Sequence, residues 1–394
     1  MNFSERRIFL TLFIAIFAVL TGTGIVIPLL PVYAKDLGAS GFYISMIFGA
    51  FSISRTAFLP WFGSLSDRLG RKPLIVPGLL FYALVSCGFM VSSSVGSLIG
   101  LRFLHGIASG MVMPVAQAYV GDITPKGKEG FYMGLFSMAT FMSLSLGPFM
   151  GGFINRIYGL DTAFASMAAL AAVAFIMALV FLPPTALEVS RKTEPKTTSV
   201  KVLLKDHLIL GLFSFRMVYT TCVGMIWCFL PVYADIRFGL SSAETGTLVM
   251  VMVLAGGLLH TPMGFMADRM NRPLLVATGG FFIIASMVCC YEATGFYTLL
   301  GAVTLFGLGG GTSLPALSAL AVEKGRHKNG LGAVMSLLTM AHSLGMLLGS
   351  LIAGITMDFI ALKFAFPMGG VIMALGMIHF VTTCILAPAK RANA

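Results

Sequence analysis

Apolar residues fall along this chain in twelve long blocks separated by short polar ones. A helix that crosses a bilayer needs about 20 mostly apolar residues. That ruler predicts spans near 8–33, 41–63, 74–95, 97–121, 131–154 and 162–182, then near 208–233, 246–266, 274–291, 297–321, 331–355 and 364–387. The longest polar stretch, 183–207, opens with Pro183-Pro184 and carries Glu188, Arg191, Lys192, Glu194, Lys196, Lys201, Lys205 and Asp206. It reads as a solvated linker between a first bundle, 1–182, and a second, 208–394. The fold class expected is an all-α membrane protein with twelve transmembrane helices in two six-helix bundles. The first block is expected to be an uncleaved span. Its apolar run from Ile8 to Ala34 exceeds the roughly 7–15 residues of a signal-peptide core. Its closing string, Leu30-Pro-Val-Tyr-Ala34, also returns in mid-chain at Leu230–Ala234.

Composition agrees with the pattern and excludes a soluble domain. Hydrophobic residues make up 57% and charged residues 10%, against about 25% charged in soluble proteins. The 45 glycines fit close helix packing in a membrane. A net charge of +11 would suit a nucleic-acid partner, but its placement argues otherwise. With the N-terminus inside, nineteen Lys and Arg fall in inside segments, and only Lys35, Arg156, Arg237 and Lys363 fall outside. Basic residues collect on the cytoplasmic side of a membrane. Both termini are therefore expected in the cytoplasm of a cell with this chain in its inner membrane. The partner is the lipid bilayer, not nucleic acid. The six cysteines form no C-x-x-C and predict neither a disulfide framework nor a metal site.

The two halves are copies. Beside the Leu-Pro-Val-Tyr-Ala string at an offset of 200, Gly63-Ser-Leu-Ser-Asp-Arg68 matches Gly264-Phe-Met-Ala-Asp-Arg269 at 201. At the same offset Gly106, Gly110 and Pro114 match Gly307, Gly311 and Pro315, and Asp122 matches Glu323. Such repetition is an internal repeat of six spans.

Three stretches carry a family resemblance. Gly63-Ser-Leu-Ser-Asp67-Arg68-Leu-Gly70-Arg71-Lys72 resembles the motif that follows span 2 in the major facilitator superfamily. Arg102-Phe-Leu-His105-Gly106 resembles that family's arginine motif in span 4, with His where Gln is common. Gly147-Pro148-Phe-Met-Gly151-Gly152 resembles the span-5 motif associated with proton-coupled exporters; a Gly-Pro pair bends a helix and glycines admit close packing. The corresponding part of span 11 lacks the proline. The resemblance covers all twelve spans and is greatest to the twelve-span drug:proton antiporters. It implies alternating access, with substrate between the repeats near the midplane. It also implies a conformational latch at the charged turns, built from Gly63, Asp67, Arg68, Gly70, Arg71 and Asp122 and, in the second half, Asp268, Arg269 and Glu323. The carboxylate at 67 is expected in a cytoplasmic turn, beside arginine and a helix N-terminus.

Charges inside a bilayer are costly and mark function. Arg55, Arg102 and Arg216 lie within spans 2, 4 and 7, with His105, His260 and His342 also inside. His379 in span 12 reads as structural. All fifteen Asp and Glu lie in loops or at span ends, whereas exporters of cationic drugs in the family usually embed a carboxylate. The interior is thus expected to favour anionic or neutral amphipathic substrates, unless each Arg is held by backbone carbonyls and Tyr hydroxyls. Coupling by protons has His105 and His342 as candidates, since histidine titrates near neutral pH, and the span-end acids Asp36 and Asp122 as the others. An enzyme is not expected: no H-E-x-x-H or G-x-S-x-G occurs, and Gly121 to Lys128 misses a Walker A by one residue and by Glu129 at the hydroxyl position. No cofactor and no metal are expected. The expectation is a monomeric secondary efflux antiporter using protons, with uptake symport or facilitated passage of a small organic anion as the alternative.

Overall fold

The computed structural model describes residues 3–125, 129–183, 206–327 and 331–389. Among the described residues there are thirteen α-helices, one 3-10 turn and no strand. The first half holds α1 (Phe3–Val26), α2 (Leu30–Asp36), α3 (Gly41–Leu69), α4 (Lys72–Met90), α5 (Val95–Ile123), α6 (Glu129–Tyr158) and α7 (Leu160–Phe181). The second holds α8 (His207–Phe238), α9 (Ser242–Ala267), α10 (Arg272–Tyr291), α11 (Phe296–His327), α12 (Leu331–Phe359), the 3-10 turn Leu362–Phe364 and α13 (Ala365–Ala389). With α1 and α2 taken as one, twelve segments are long and apolar enough to cross a membrane. Most of the linker expected at 183–207 lies outside the described residues.

Two expectations are corrected by the helices themselves. The first span is broken. Pro28 has no amide hydrogen and clashes with a helical residue before it, so the chain turns over 27–29. There the Ile27 amide donates to the Gly24 carbonyl at 3.3 Å and Leu29 to Val26 at 3.1 Å, each reaching back only three residues. The counterpart α8 runs unbroken through Pro231, because Cys228 stands where Pro28 breaks the first copy. The second correction concerns Gly63 to Arg68. They are not a turn, since α3 continues to Leu69. A Cβ on Gly63 would meet nothing, so that glycine serves neither turn nor contact. The turn is made by Gly70 alone, at φ +92°, in the left-handed region that favours glycine.

The chain divides into two compact units. One contains the described residues of 1–39, 46–191 and 239–250; the other contains those of 40–45, 192–238 and 251–394. In the first unit α1 packs on α6 and α7, and α4 on α5 and α7. In the second, α8 packs on α12 and α13, and α10 on α11 and α13. The arrangement is the same once each helix is replaced by its copy.

Glycine sets the helix spacing in both. A Cβ on Gly106 would run into the Phe51 carbonyl and the Ser54 hydroxyl of α3. One on Gly307 would run into the Met252 carbonyl of α9 and lie 3.0 Å from the Ala255 Cβ. These are the same contacts, 201 residues apart. Small residues let backbones touch where no solvent drives helices together.

Candidate functional site

The close approach at Gly106 presents two arginines and a histidine inside the first unit. Arg102 is 4% exposed and His105 fully buried. The Arg102 guanidinium lies 5.0 Å from the Phe48 ring centroid and 4.8 Å from that of Phe51. Each such contact contributes roughly 0.5–2 kcal/mol, the upper figure where water is excluded. His105 is edge-on to Tyr82 at 4.2 Å, with Phe51 and Phe89 at 5.5 and 6.1 Å. Neither of its ring nitrogens has a hydrogen-bond partner among the described residues. The Tyr82 hydroxyl bonds Thr23 Oγ1, which in turn donates to the Val19 carbonyl at 3.0 Å. Arg55, half-buried on α3, lies within Coulomb range of Tyr82. Arg55, Arg102 and His105 are thus brought together around a tyrosine of α4.

A second cluster stands inside the other unit. Arg216 of α8 contacts Nδ1 of His342 on α12 through a terminal nitrogen at 3.4 Å and lies 5.9 Å from the Tyr219 ring. His260 of α9 is within Coulomb range of Arg216. Tyr219 stacks on Phe306 at 6.0 Å, and a Cβ on Gly310 would sit 2.6 Å from its hydroxyl. Gly310 stands where the repeat places Ser109. All four polar side chains are half-buried, each keeping some accessible surface. The α8–α12 spacing is fixed at Gly345, whose Cβ would strike the Met217 carbonyl and the Thr220 hydroxyl. The Thr220 hydroxyl donates to the Arg216 carbonyl at 2.9 Å. His379 lies apart from both clusters, bonded at 2.7 Å to Ser214.

The charged turns form a matched pair. Arg71 donates to Asp67 at 2.6 Å, to Asp122 at 2.9 Å and to the Ser66 hydroxyl at 2.6 Å. Arg272 donates to Glu323 at 2.6 Å and to the Ala267 carbonyl at 2.9 Å, with Asp268 at 3.5 Å. Burial pulls the Arg71 guanidinium down, but the bonds to Asp122 and Asp67 outweigh it and hold the group above its ordinary value. Asp67 therefore pairs with Arg71 within its own turn, and Arg71 carries the link across to Asp122 of α5. Arg269 instead lies over the Phe265 ring at 4.1 Å. The bridging arginine of the second half is Arg272, which the sequence motif had left out. Next to each bridge a lysine fastens a helix end. Lys72 donates to the Leu179 carbonyl at 3.0 Å and to that of Leu182, closing α7. Lys324 pairs at 3.0 Å with Asp206, whose carboxylate accepts from the Leu208 amide at the start of α8.

The Gly147-Pro148 stretch lies in α6 where it meets α1. A Cβ on Gly147 would strike Gly24 at 2.7 Å, and one on Gly151 would strike the Ile25 backbone. Gly152 faces the Ser242 carbonyl within the same compact unit. The model of the Major Facilitator Superfamily matches residues 12–241 and again 217–393. The chain belongs to the Major Facilitator Superfamily. It is a multi-pass membrane transporter of that superfamily and not an enzyme. It is 28% identical over 96% of its length to an uncharacterised MFS-type transporter of Methanocaldococcus jannaschii, 98% of which is covered. It is 29% identical to the multi-drug resistance efflux pump PmrA of Streptococcus pneumoniae, over 84% of each chain. The solved nucleoside transporter NupG superposes with a TM-score of 0.79 at 13% identity, covering 97% of this chain and 99% of that one; this likeness shows the fold.

Within that superfamily fold, each unit offers a different chemistry. In the first, Arg102 and His105 are sealed among aromatic rings and Arg55 is half-buried. The second carries two imidazoles and a guanidinium with open surface, and guanidinium and imidazolium groups both donate to anions.

Proposed function

We propose that this transporter is a proton-coupled antiporter that exports small amphipathic compounds, neutral or anionic, by alternating access. The observation that carries this reading is the half-open group of Arg216, His260, His342 and Tyr219, set among spans whose described carboxylates all stand at helix ends. A site with cationic donors and no opposing carboxylate favours anions and polar neutral groups over cations. Export is supported by the similarity to an efflux pump over 84% of the chain and by the glycine-proline seam of α6. The distribution of Lys and Arg supports an inner-membrane protein with both termini cytoplasmic. The repeat supports bundles at 1–182 and 208–394 working as a monomer. The turns at Arg71 and Arg272 are the latches that favour one access state. His342 and His105 are the interior candidates for the coupling proton.

The test is efflux of a neutral and an anionic fluorescent amphiphile from energised cells. Both should be retained when a protonophore is added, and depletion of ATP with the gradient intact should have no effect. Preferred export of cationic dyes would rule out the substrate assignment. A second reading, uptake of a small organic anion with a proton, is favoured by the contact between Arg216 and His342.

A further inference from the structure

We propose that Arg216 and His342 form an anion site that takes up one proton at His342 Nδ1 for each anion bound. The inference deepens the second reading above, uptake of a small organic anion together with a proton, and rests on its premise that Arg216 meets the substrate.

A guanidinium has donors only. The nitrogen of His342 that faces it must therefore accept, and the neutral ring carries its hydrogen on Nε2. The contact is long, at 3.4 Å, near the limit at which a hydrogen bond holds. It is accordingly weak and easily exchanged. A proton arriving from water on Nδ1 turns that nitrogen into a donor, and two cationic groups then face each other. In this protonated state both groups donate and neither can accept from the other, so the pair calls for an acceptor. A carboxylate or sulfonate supplies it: one oxygen accepts from Arg216 and another from the new Nδ1–H, in charge-assisted bonds shorter than the one lost. Proton and anion thus each favour the binding of the other, by the reciprocity of linkage.

The pair is held for this exchange. Thr220 Oγ1 reaches the Ala341 carbonyl at 3.4 Å as well as that of Arg216, tying the backbone of Arg216 to that of the residue before His342. The titratable and charged groups on the surrounding elements are few. From α8, Tyr219 lies within Coulomb range of Arg216 and Cys222 within range of Tyr219, and from α9, His260 lies within range of Arg216; His207, Cys228, Tyr233, Asp235 and Arg237 of α8 and Glu244 of α9 stand elsewhere along their helices. On α11, Glu323 and Lys324 are engaged by Arg272 and Asp206 at the helix end. On α13, His379 is bonded to Ser214. Asp358 stands in the last turn of α12, and Lys363 in the 3-10 turn beyond it. The proton is assigned to His342 rather than His260 because the contact to Arg216 runs through His342.

The consequence is that an anion bound here travels together with a proton, whereas a neutral ligand does not recruit one. The experiment uses the full-length purified chain and two probes of one shape. 2-Naphthalenesulfonate keeps its charge across the range used, and 2-naphthalenesulfonamide stays neutral. Titration calorimetry in two buffers of different ionisation enthalpy counts the protons exchanged. The expected result is uptake approaching one proton per sulfonate, with affinity falling about tenfold per pH unit once free His342 is neutral. The sulfonamide should show neither. His342→Gln keeps an acceptor for Arg216 and should abolish uptake and flatten the pH dependence. Arg216→Gln should weaken the sulfonate about ten- to a hundredfold, and Arg216→Lys serves if that variant fails to fold.

Sulfonate binding that needs Arg216 but takes up no proton would overturn the proton step and leave the site reading standing. Uptake that persists in His342→Gln would overturn the assignment to His342. Sulfonate binding that is absent, or that survives unchanged in both Arg216 variants, would sink the site reading and this inference with it.

Discussion

Arg102 and Arg216 look alike in sequence, each a lone arginine in an apolar run, yet their surroundings give them different work. Arg102 is 4% exposed and lies between two phenylalanine rings, whereas Arg216 keeps open surface beside a histidine. Replacement by Gln should separate them. Arg102→Gln is expected to lower stability by about 1–3 kcal/mol and to leave sulfonate affinity unchanged. Arg216→Gln should cost the ligand instead. Thermal melting in detergent beside binding of the same probe distinguishes the two, and equal effects in both assays would contradict the assignment. The inventory of charged and imidazole residues in the spans was legible because a bilayer makes such residues rare. Their companions Tyr82, Thr23 and Tyr219 were not, since tyrosine and threonine in an apolar run read as packing. One signal was present for Tyr219: Gly310 breaks the repeat where Ser109 stands in the first copy, and the space it leaves is filled by that hydroxyl.

Among the helices, α6 shows how glycines in one segment differ. Gly134 has nothing near a built Cβ, while Gly151 abuts the backbone of Ile25 in α1. Backbone cannot yield as a flexible side chain can, so alanine at 151 forces α1 and α6 apart. Gly151→Ala should lower the melting temperature and transport together. Gly134→Ala should raise stability by about 0.5–1 kcal/mol, the ordinary gain from removing a glycine from a helix. A rise in both variants would mean that the seam is not under contact. The sequence motif identified this stretch as a bend with close packing, but the partner helix was out of its reach, because spacing along one helix says nothing of what lies opposite. The overrun of α3 to Leu69 was hidden for a related reason. Hydropathy marks where lipid ends, and a helix can continue past that level through polar residues, as α3 does through Ser64, Ser66 and Asp67, the last pairing with Arg71 across the Gly70 turn.

The molecule as a whole repeats its frame and not its interior. The helix packing, the Gly106 and Gly307 contacts and the Arg71 and Arg272 bridges all recur, whereas Arg55, Arg102 and His105 become Gly256, Val303 and Phe306 in the second copy. Recurring parts therefore serve what both halves do, and unmatched parts serve what each binds. The bridges should accordingly affect movement rather than folding or binding. Their carboxylates are exposed, Asp67 by 68% and Asp122 by 53%, against 15% for Arg71. Exposed pairs of this kind contribute about 0–1 kcal/mol each, too little to decide whether the chain folds. The same amount acting on one of two nearly balanced access states shifts their ratio about fivefold. Asp122→Asn and Glu323→Gln are therefore each expected to slow substrate flux in proteoliposomes severalfold. Melting temperature and affinity for the sulfonate probe should stay at their wild-type values. The double variant should slow flux by more than either alone, since the two bridges belong to separate units. Flux at the wild-type rate in the double variant would remove the latch role from both turns. A fall in melting temperature that tracks the loss of flux would make them supports of the fold.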